Sequence, residues 1–243
     1  MMPSGFWGAI FPSVFTRDAK VIKRFLNEAN GKYRKLIIDL RNTRGGSHLY
    51  GYENLIRPFL DKPVTYTQIA GLRRKYRESL KNSELKTLRK WVSTKKYHVV
   101  NVQEAAPPKG FNGDDWIFYE ITRTLTPRNR YNFDGQIFIL TDGSVFSATE
   151  DYVNTVKRIG QTKLIGRNTG GGASAYLGPP IVQLPVSGMI FRAETEIVIN
   201  PDGTVNELYG TTPDIELPPT LPPKSHDKTT LLKDKWIQYI IDN

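Results

Sequence analysis

Apolar runs and amphipathic stretches alternate along the chain and predict strands and helices in turn. Short apolar runs bounded by turn residues predict buried strands over 35–40, 136–140 and 163–166, and a further strand over 63–69. Apolar residues at helical spacing predict helices over 21–29, 52–60, 116–125 and 147–159. Because short strands alternate with helices, we expect an α/β fold.

The remaining pattern predicts a core, an insertion and a tail. Residues 180–199 are typical of a hairpin that turns at Ser187 and Gly188. Proline pairs within 218–223 precede a last apolar stripe of helical spacing. We therefore predict a core over 1–222 with an insertion over about 66–115, and a C-terminal helical tail over 223–243.

Composition excludes several kinds of site. The 243 residues include no cysteine, which excludes thiol catalysis, iron–sulfur clusters and structural zinc of the usual types. No apolar run reaches the roughly 18 to 20 residues of a membrane span, and no targeting segment is visible. We expect a soluble chain.

The net charge of +10 is concentrated in one segment. Residues 71–96 hold ten basic side chains against two acidic ones, and their apolar residues recur at three- to five-residue steps, which predicts a basic amphipathic helix. Such a helix could bind nucleic acid, an anionic membrane or an acidic protein. A solvated helix on the core is the alternative that we favour, because no nucleic-acid motif accompanies the charge.

Candidate chemistry lies where predicted strands end, at 39–46, 141–150 and 166–172. Ser147 directly follows a buried strand and begins a helix, so its hydroxyl would meet free helix amides such as that of Ala148. The structural alternative is a capping box, formed by Ser147 and Glu150. Segment 166–172 lacks the Gly-Lys-Ser/Thr ending of a phosphate loop, which argues against an NTPase.

Four segments in order carry a resemblance to a known family: KLIIDLRNTRGG, QIFILTDGSVFSATE, LIGRNTGGG and YGTTPDIEL. The chain resembles the C-terminal processing (tail-specific) serine peptidases and, at TGGG, their tricorn-type branch. The resemblance implies a ClpP/crotonase-like core and hydrolysis of peptide or protein substrates by acyl transfer. We expect no cofactor and no metal. The resemblance implies a location outside the cytoplasm or in the cell envelope.

The resemblance also implies roles for individual residues. Ser147 is the expected nucleophile, and the amides of Ala148 and of Gly45 or Gly46 the expected oxyanion hole. Glu207 matches a glutamate that helps to arrange the site in the tricorn type, although a surface carboxylate beside a turn would look the same.

Two departures from the family concern the base and the oxyanion loop. Gly172 occupies the position where many members carry a lysine as general base, and the tricorn type takes its histidine from a segment upstream of this chain. Thr43 and Arg44 are unusual beside the glycine pair. We therefore expect the base to be missing or misplaced, as in a fragment of a larger peptidase.

Three histidines are the internal alternatives for a base. His48 follows the glycine pair and could face Ser147, although a loop histidine is commonly a hydrogen-bonded surface residue. His98 and His226 are expected to be uninvolved, and no two of the three have metal-ligand spacing. A catalytically inactive peptide-binding module, a pseudopeptidase, is the alternative function.

Overall fold

The computed structural model describes residues 12–79, 99–173, 181–192, 194–223, 225 and 227–243. The strands are, in chain order, β1 (Lys35–Asp39), β2 (Val64–Arg73), β3 (Val99–Ala105), β4 (Trp116–Leu125), β5 (Gln136–Thr141), β6 (Lys163–Gly166), β7 (Ile181–Gln183), β8 (Ile190–Arg192), β9 (Glu196–Ile199) and β10 (Ile215–Glu216). The longer helices are the first helix (Pro12–Ala29), the central helix (Ala148–Ile159) and the C-terminal helix (Lys235–Asp242). Shorter α-helices span His48–Tyr50, Arg74–Ser79, Asn206–Tyr209 and Lys228–Leu231.

A parallel sheet lies at the centre, in the strand order β1-β5-β6-β10. The three strands predicted from buried apolar runs are its first three members, so those predictions are confirmed. Apolar side chains of the central helix cover one face, and Trp236, Ile237 and Ile240 of the C-terminal helix cover the other. The predicted α/β fold is confirmed.

An antiparallel sheet with the order β3-β4-β2-β9 packs beside the central helix. The prediction of a helix over 116–125 is wrong, because these residues form β4 and pair with β2 along its whole length. Aromatic and β-branched residues favour a strand here. The alternation is hidden in the sequence because the buried Arg123 occupies an inward position.

The predicted basic helix over 71–96 is only partly described. Residues 71–73 are the end of β2 rather than helix, since all three pair with β4, and Gly71 and Leu72 also pair with β9. A helix then spans Arg74–Ser79. The rest, 80–96, lies outside the described residues.

Other predicted elements differ in extent. The helical stretch predicted over 52–60 begins earlier, with an α-helical turn at His48–Tyr50 followed by a π-helix (Gly51–Ile56) and a 3₁₀ turn (Arg57–Phe59). β7 and β8 form the predicted hairpin, whereas β9 pairs with β2. None of the described helices combines the length and the apolarity that a membrane span requires.

Candidate active site

The three candidate segments lie at one edge of the parallel sheet. β1, β5 and β6 are neighbouring parallel strands, so their carboxyl ends meet at this edge. Three loops leave it: the loop 40–47, named the oxyanion loop after its predicted role, the serine turn (142–147) and the glycine loop (167–172). The site is therefore built from strand ends, as expected for an α/β fold.

The oxyanion loop is anchored through Arg41, whose side chain is fully buried. Its guanidinium donates to both carboxylate oxygens of Asp39, at 2.9 and 2.6 Å, and to Asp234 at 2.9 Å. Asp234 also accepts from the amides of Trp236 and Ile237, which caps the C-terminal helix. The Asp-Leu-Arg motif thus ties this loop to the last helix.

The glycine pair has a conformation that favours glycine. Gly45 and Gly46 have φ values of +102° and +142°, and Asn42 has a φ of +64°. Residues with a Cβ rarely adopt these values. Thr43 is buried, and both its amide and its hydroxyl donate to the Leu40 carbonyl, which closes the turn before the glycines.

Ser147 has a strained backbone, with φ +59° and ψ −126°. This conformation is uncommon for a residue with a Cβ and is often found at active sites. The side chain of Ser147 makes no capping hydrogen bond, and Glu150 points to other partners. The capping-box interpretation is therefore wrong.

The oxyanion loop contacts Ser147 directly. A Cβ added to Gly45 would lie 2.8 Å from the Ser147 Cβ and 3.2 Å from its Oγ. Within the described part of the chain, no hydrogen bond engages the amides of Gly45, Gly46 or Ala148. Four of the predicted residues thus offer one hydroxyl, that of Ser147, and three amides, those of Gly45, Gly46 and Ala148.

The glycine loop packs against the other side of the serine turn. Ser147 N donates to Gly171 O at 3.2 Å, and Gly170 N donates to Val145 O at 2.8 Å. The ring of Phe146 lies against Gly172, where an added Cβ would come within 2.7 Å of it. A side chain at position 172 would therefore displace the Phe146 ring.

A buried polar cluster behind Ser147 joins the central helix to the later loops. Glu150 Oε1 accepts from Asn206 Nδ2 and from Thr211 Oγ1, both at 2.5 Å. Burial raises the pKa of Glu150 to about 7, against hydrogen bonds from Thr169, Thr211 and Asn206 that lower it. The charge of Glu207 adds to the increase.

Glu207 lies close to this cluster but has a backbone partner. Its Oε2 accepts from Val198 N at 2.8 Å, which joins the helix Asn206–Tyr209 to β9. A Cβ on Gly171 would lie 3.4 Å from the Glu207 Cα, so Glu207 belongs to the wall of the glycine loop.

His48 is paired with Asp151, a residue for which the sequence predicted no role. His48 Nδ1 lies 2.9 Å from Asp151 Oδ2. The imidazole is 19% exposed, whereas the Asp151 side chain is 8% exposed. Asp151 is four residues after Ser147, and its amide donates to the Ser147 carbonyl at 2.9 Å.

Asp151 is a buried carboxylate in a polar environment. Burial alone would raise its pKa, but the charge and hydrogen bond of His48, the charge of Arg123 and a hydrogen bond from Tyr52 hold its pKa below the usual value. Arg123 reaches the cluster from β4 and donates to Tyr52 Oη at 3.3 Å. Asp151 is therefore ionised at neutral pH.

The i, i+4 spacing of Ser147 and Asp151 was a signal in the sequence, because such residues share one face of a helix. The partnership with His48 had no such signal, since 103 residues separate the pair. His98 and His226 lie outside the described residues. Among the residues that are described, no group of three His, Asp or Glu side chains could hold a metal ion.

The model of peptidase family S41 matches residues 8–217. The chain belongs to this family. The predicted family membership is therefore confirmed. No curated protein matches the chain.

Solved structures share the S41 fold at low identity. A protein from Parabacteroides merdae described as a peptidase has a TM-score of 0.55 and 21% identity, over 94% of this chain and 56% of that chain. Mature CPAF complexed with lactacystin has a TM-score of 0.55 and 18% identity, over 82% of this chain and 42% of that chain. The chain thus spans about half the length of these relatives.

Proposed function

We propose that this S41 family member hydrolyses peptide bonds by acyl transfer through Ser147. The observation that carries the proposal is the contact between the strained Ser147 and Gly45, at the edge where three loops meet. In the proposed reaction the Ser147 oxygen attacks the peptide carbonyl. The amides of Ala148 and of Gly45 or Gly46 then stabilise the negative oxygen.

The other roles taken from the resemblance are part of this proposal. Glu207 would position the glycine loop through its bond to β9. The tricorn-type assignment rests on the TGGG segment, and an extracytoplasmic or cell-envelope location rests on the resemblance alone. Binding of nucleic acid or anionic membranes through 71–96 stays a prediction with no support from the described residues.

Labelling with a fluorophosphonate probe tests the proposal, because the probe reacts with activated serines. We expect labelling of the wild-type chain, none after Ser147→Ala and full labelling after Ser144→Ala. Ser144 is a matched control, since it is a second serine of the same turn. Its amide donates a hydrogen bond to Asp142 Oδ1, which an alanine at this position would keep. Mass spectrometry of the labelled peptide identifies the residue.

Two outcomes contradict the proposal in different ways. Labelling that survives Ser147→Ala would place the reactive hydroxyl elsewhere. A wild-type chain that binds peptides in calorimetry but never labels, with binding unchanged in Ser147→Ala, would favour the pseudopeptidase.

A further inference from the structure

We propose that His48, held by Asp151, is the general base for Ser147, and that Asp151 is the positioning residue of this pair. This inference rests on the proposed function. It departs from the expectation that the base is missing from the chain or lies upstream of it.

One chain connection and one hydrogen bond place His48 in the neighbourhood of Ser147. Along the chain, His48 is three residues after Gly45, which contacts the Ser147 side chain. Across the fold, His48 bonds Asp151, which is one helical turn after Ser147. The imidazole is therefore held between the oxyanion loop and the first turn of the central helix.

The chemistry of the pair suits a base. When Nδ1 carries the proton that the Asp151 carboxylate accepts, the basic lone pair of the neutral ring is on Nε2. An ionised carboxylate that fixes the tautomer and stabilises the imidazolium is the third member of a serine triad. The burial of Asp151 and the nearby Arg123 hold this carboxylate in one place.

The proposed steps balance in protons and bonds. Ser147 Oγ forms a bond to the carbonyl carbon while its proton passes to His48 Nε2, and the carbonyl electron pair moves to oxygen. The C–N bond then breaks, and the leaving amine takes the proton from His48. A water molecule attacks the acyl-enzyme, gives a proton to His48 and releases the acid, and that proton returns to Ser147.

Glu207 is the competing candidate for the positioning carboxylate. Its Oε2 accepts from Val198 N, and its Cα lies beside the glycine loop rather than the oxyanion loop. The structure pairs His48 with Asp151 instead. The positioning role is therefore assigned to Asp151.

The test measures the rate of fluorophosphonate labelling in the full chain. We expect His48→Ala and Asp151→Asn each to lower the rate by at least about 100-fold, because Asp151 acts only through His48. Added imidazole should restore labelling in His48→Ala but not in Ser147→Ala, a rescue that a merely structural role of His48 would not show. Asp61→Asn, His98→Ala and His226→Ala are controls that should label at the wild-type rate.

The outcomes separate this inference from the proposed function. If the wild type labels at Ser147 and His48→Ala labels equally fast, the base assignment is overturned while the nucleophile stands. If Asp151→Asn alone labels at the wild-type rate, Asp151 is not the positioning residue. If no form labels, the proposed function and this inference both fail. Should Asp151→Asn not fold, as judged by circular dichroism, the imidazole rescue of His48→Ala still decides the assignment of the base.

Discussion

Single residues set the distance between the candidate nucleophile and the loop opposite it. Gly45 is the clearest case, because both its φ of +102° and its contact with Ser147 exclude a side chain. The loop can approach the hydroxyl this closely only because one hydrogen atom replaces a methyl group.

Gly45→Ala tests this close approach. We expect labelling at Ser147 to fall by about 100-fold or more, because the new methyl group would displace the loop that carries the proposed oxyanion donors. The measurement is the fluorophosphonate labelling rate, with folding checked by circular dichroism.

Gly110→Ala is the matched control for Gly45→Ala. Gly110 has a similar φ of +91°, but an added Cβ would meet no atom within 4 Å. Both variants therefore carry the backbone strain, and only one carries the clash. Equal labelling rates in the two variants would show that the contact is unimportant.

Residues of the site differed in how well the sequence predicted them. Ser147 and Gly45 were predictable because each lies in a short motif beside a strand. The contact of Asp151 with His48 could not be predicted, because only the tertiary fold brings the two side chains together. Arg123 could not be predicted, since a charged residue at an inward strand position looks like a solvent-facing one.

Hydrogen bonds from buried side chains join the central helix to the later segments of the chain. Glu150 makes one such junction, because its buried carboxyl group accepts from residues of two later segments, Asn206 and Thr211. A pKa raised to about 7 means that the folded state binds this proton more tightly than the unfolded state.

Stability should therefore depend on pH through Glu150. The protonated form contributes fully below pH 4.5, the ordinary pKa, and the contribution is lost as the pH rises through about 7. Glu150→Gln should not show this loss. The free energy of unfolding of the variant, minus that of the wild type, should therefore rise by roughly 3 kcal/mol from pH 4.5 to pH 8. Urea denaturation at both pH values measures it.

Glu216→Gln serves as the control for this pH effect. Glu216 is exposed and pairs with Arg167 on the surface, so its variant should keep the pH dependence of the wild type. If Glu150→Gln also kept the wild-type pH dependence of the free energy of unfolding, the raised pKa would not contribute to stability.

Strands and helices were predictable to different degrees for a physical reason. Strands of the parallel sheet are buried on both faces, so they stand out as continuous apolar runs. Strand β4 belongs to an antiparallel sheet and carries threonines and Arg123 among its apolar residues, so the spacing of its apolar residues alone predicts a helix. Pairing with β2 and β3 decides its structure.

At the scale of the whole molecule, Arg41 links β1 to the C-terminal helix through Asp39 and Asp234. This side chain is fully buried between Asp39 and Asp234, whose side chains are 12% and 3% exposed. Removing one partner from a buried ionic cluster leaves uncompensated charges, which costs far more than removing a surface ion pair.

Arg41→Met should therefore lower the free energy of unfolding by about 3 to 5 kcal/mol. The control Arg167→Met removes an exposed ion pair with Glu216 and should cost about 0 to 1 kcal/mol. Urea denaturation at neutral pH compares the two. Similar losses in both variants would contradict the importance of the buried cluster.

Asp234, which lies in the predicted tail over 223–243, both binds the Arg41 guanidinium and caps the C-terminal helix. Removal of residues 223–243 would take away none of the residues proposed to react. It would, however, leave the Arg41 guanidinium without Asp234, next to the loop that contacts Ser147. Proteolytic removal of this tail would therefore weaken the anchor of loop 40–47 without touching the loop itself.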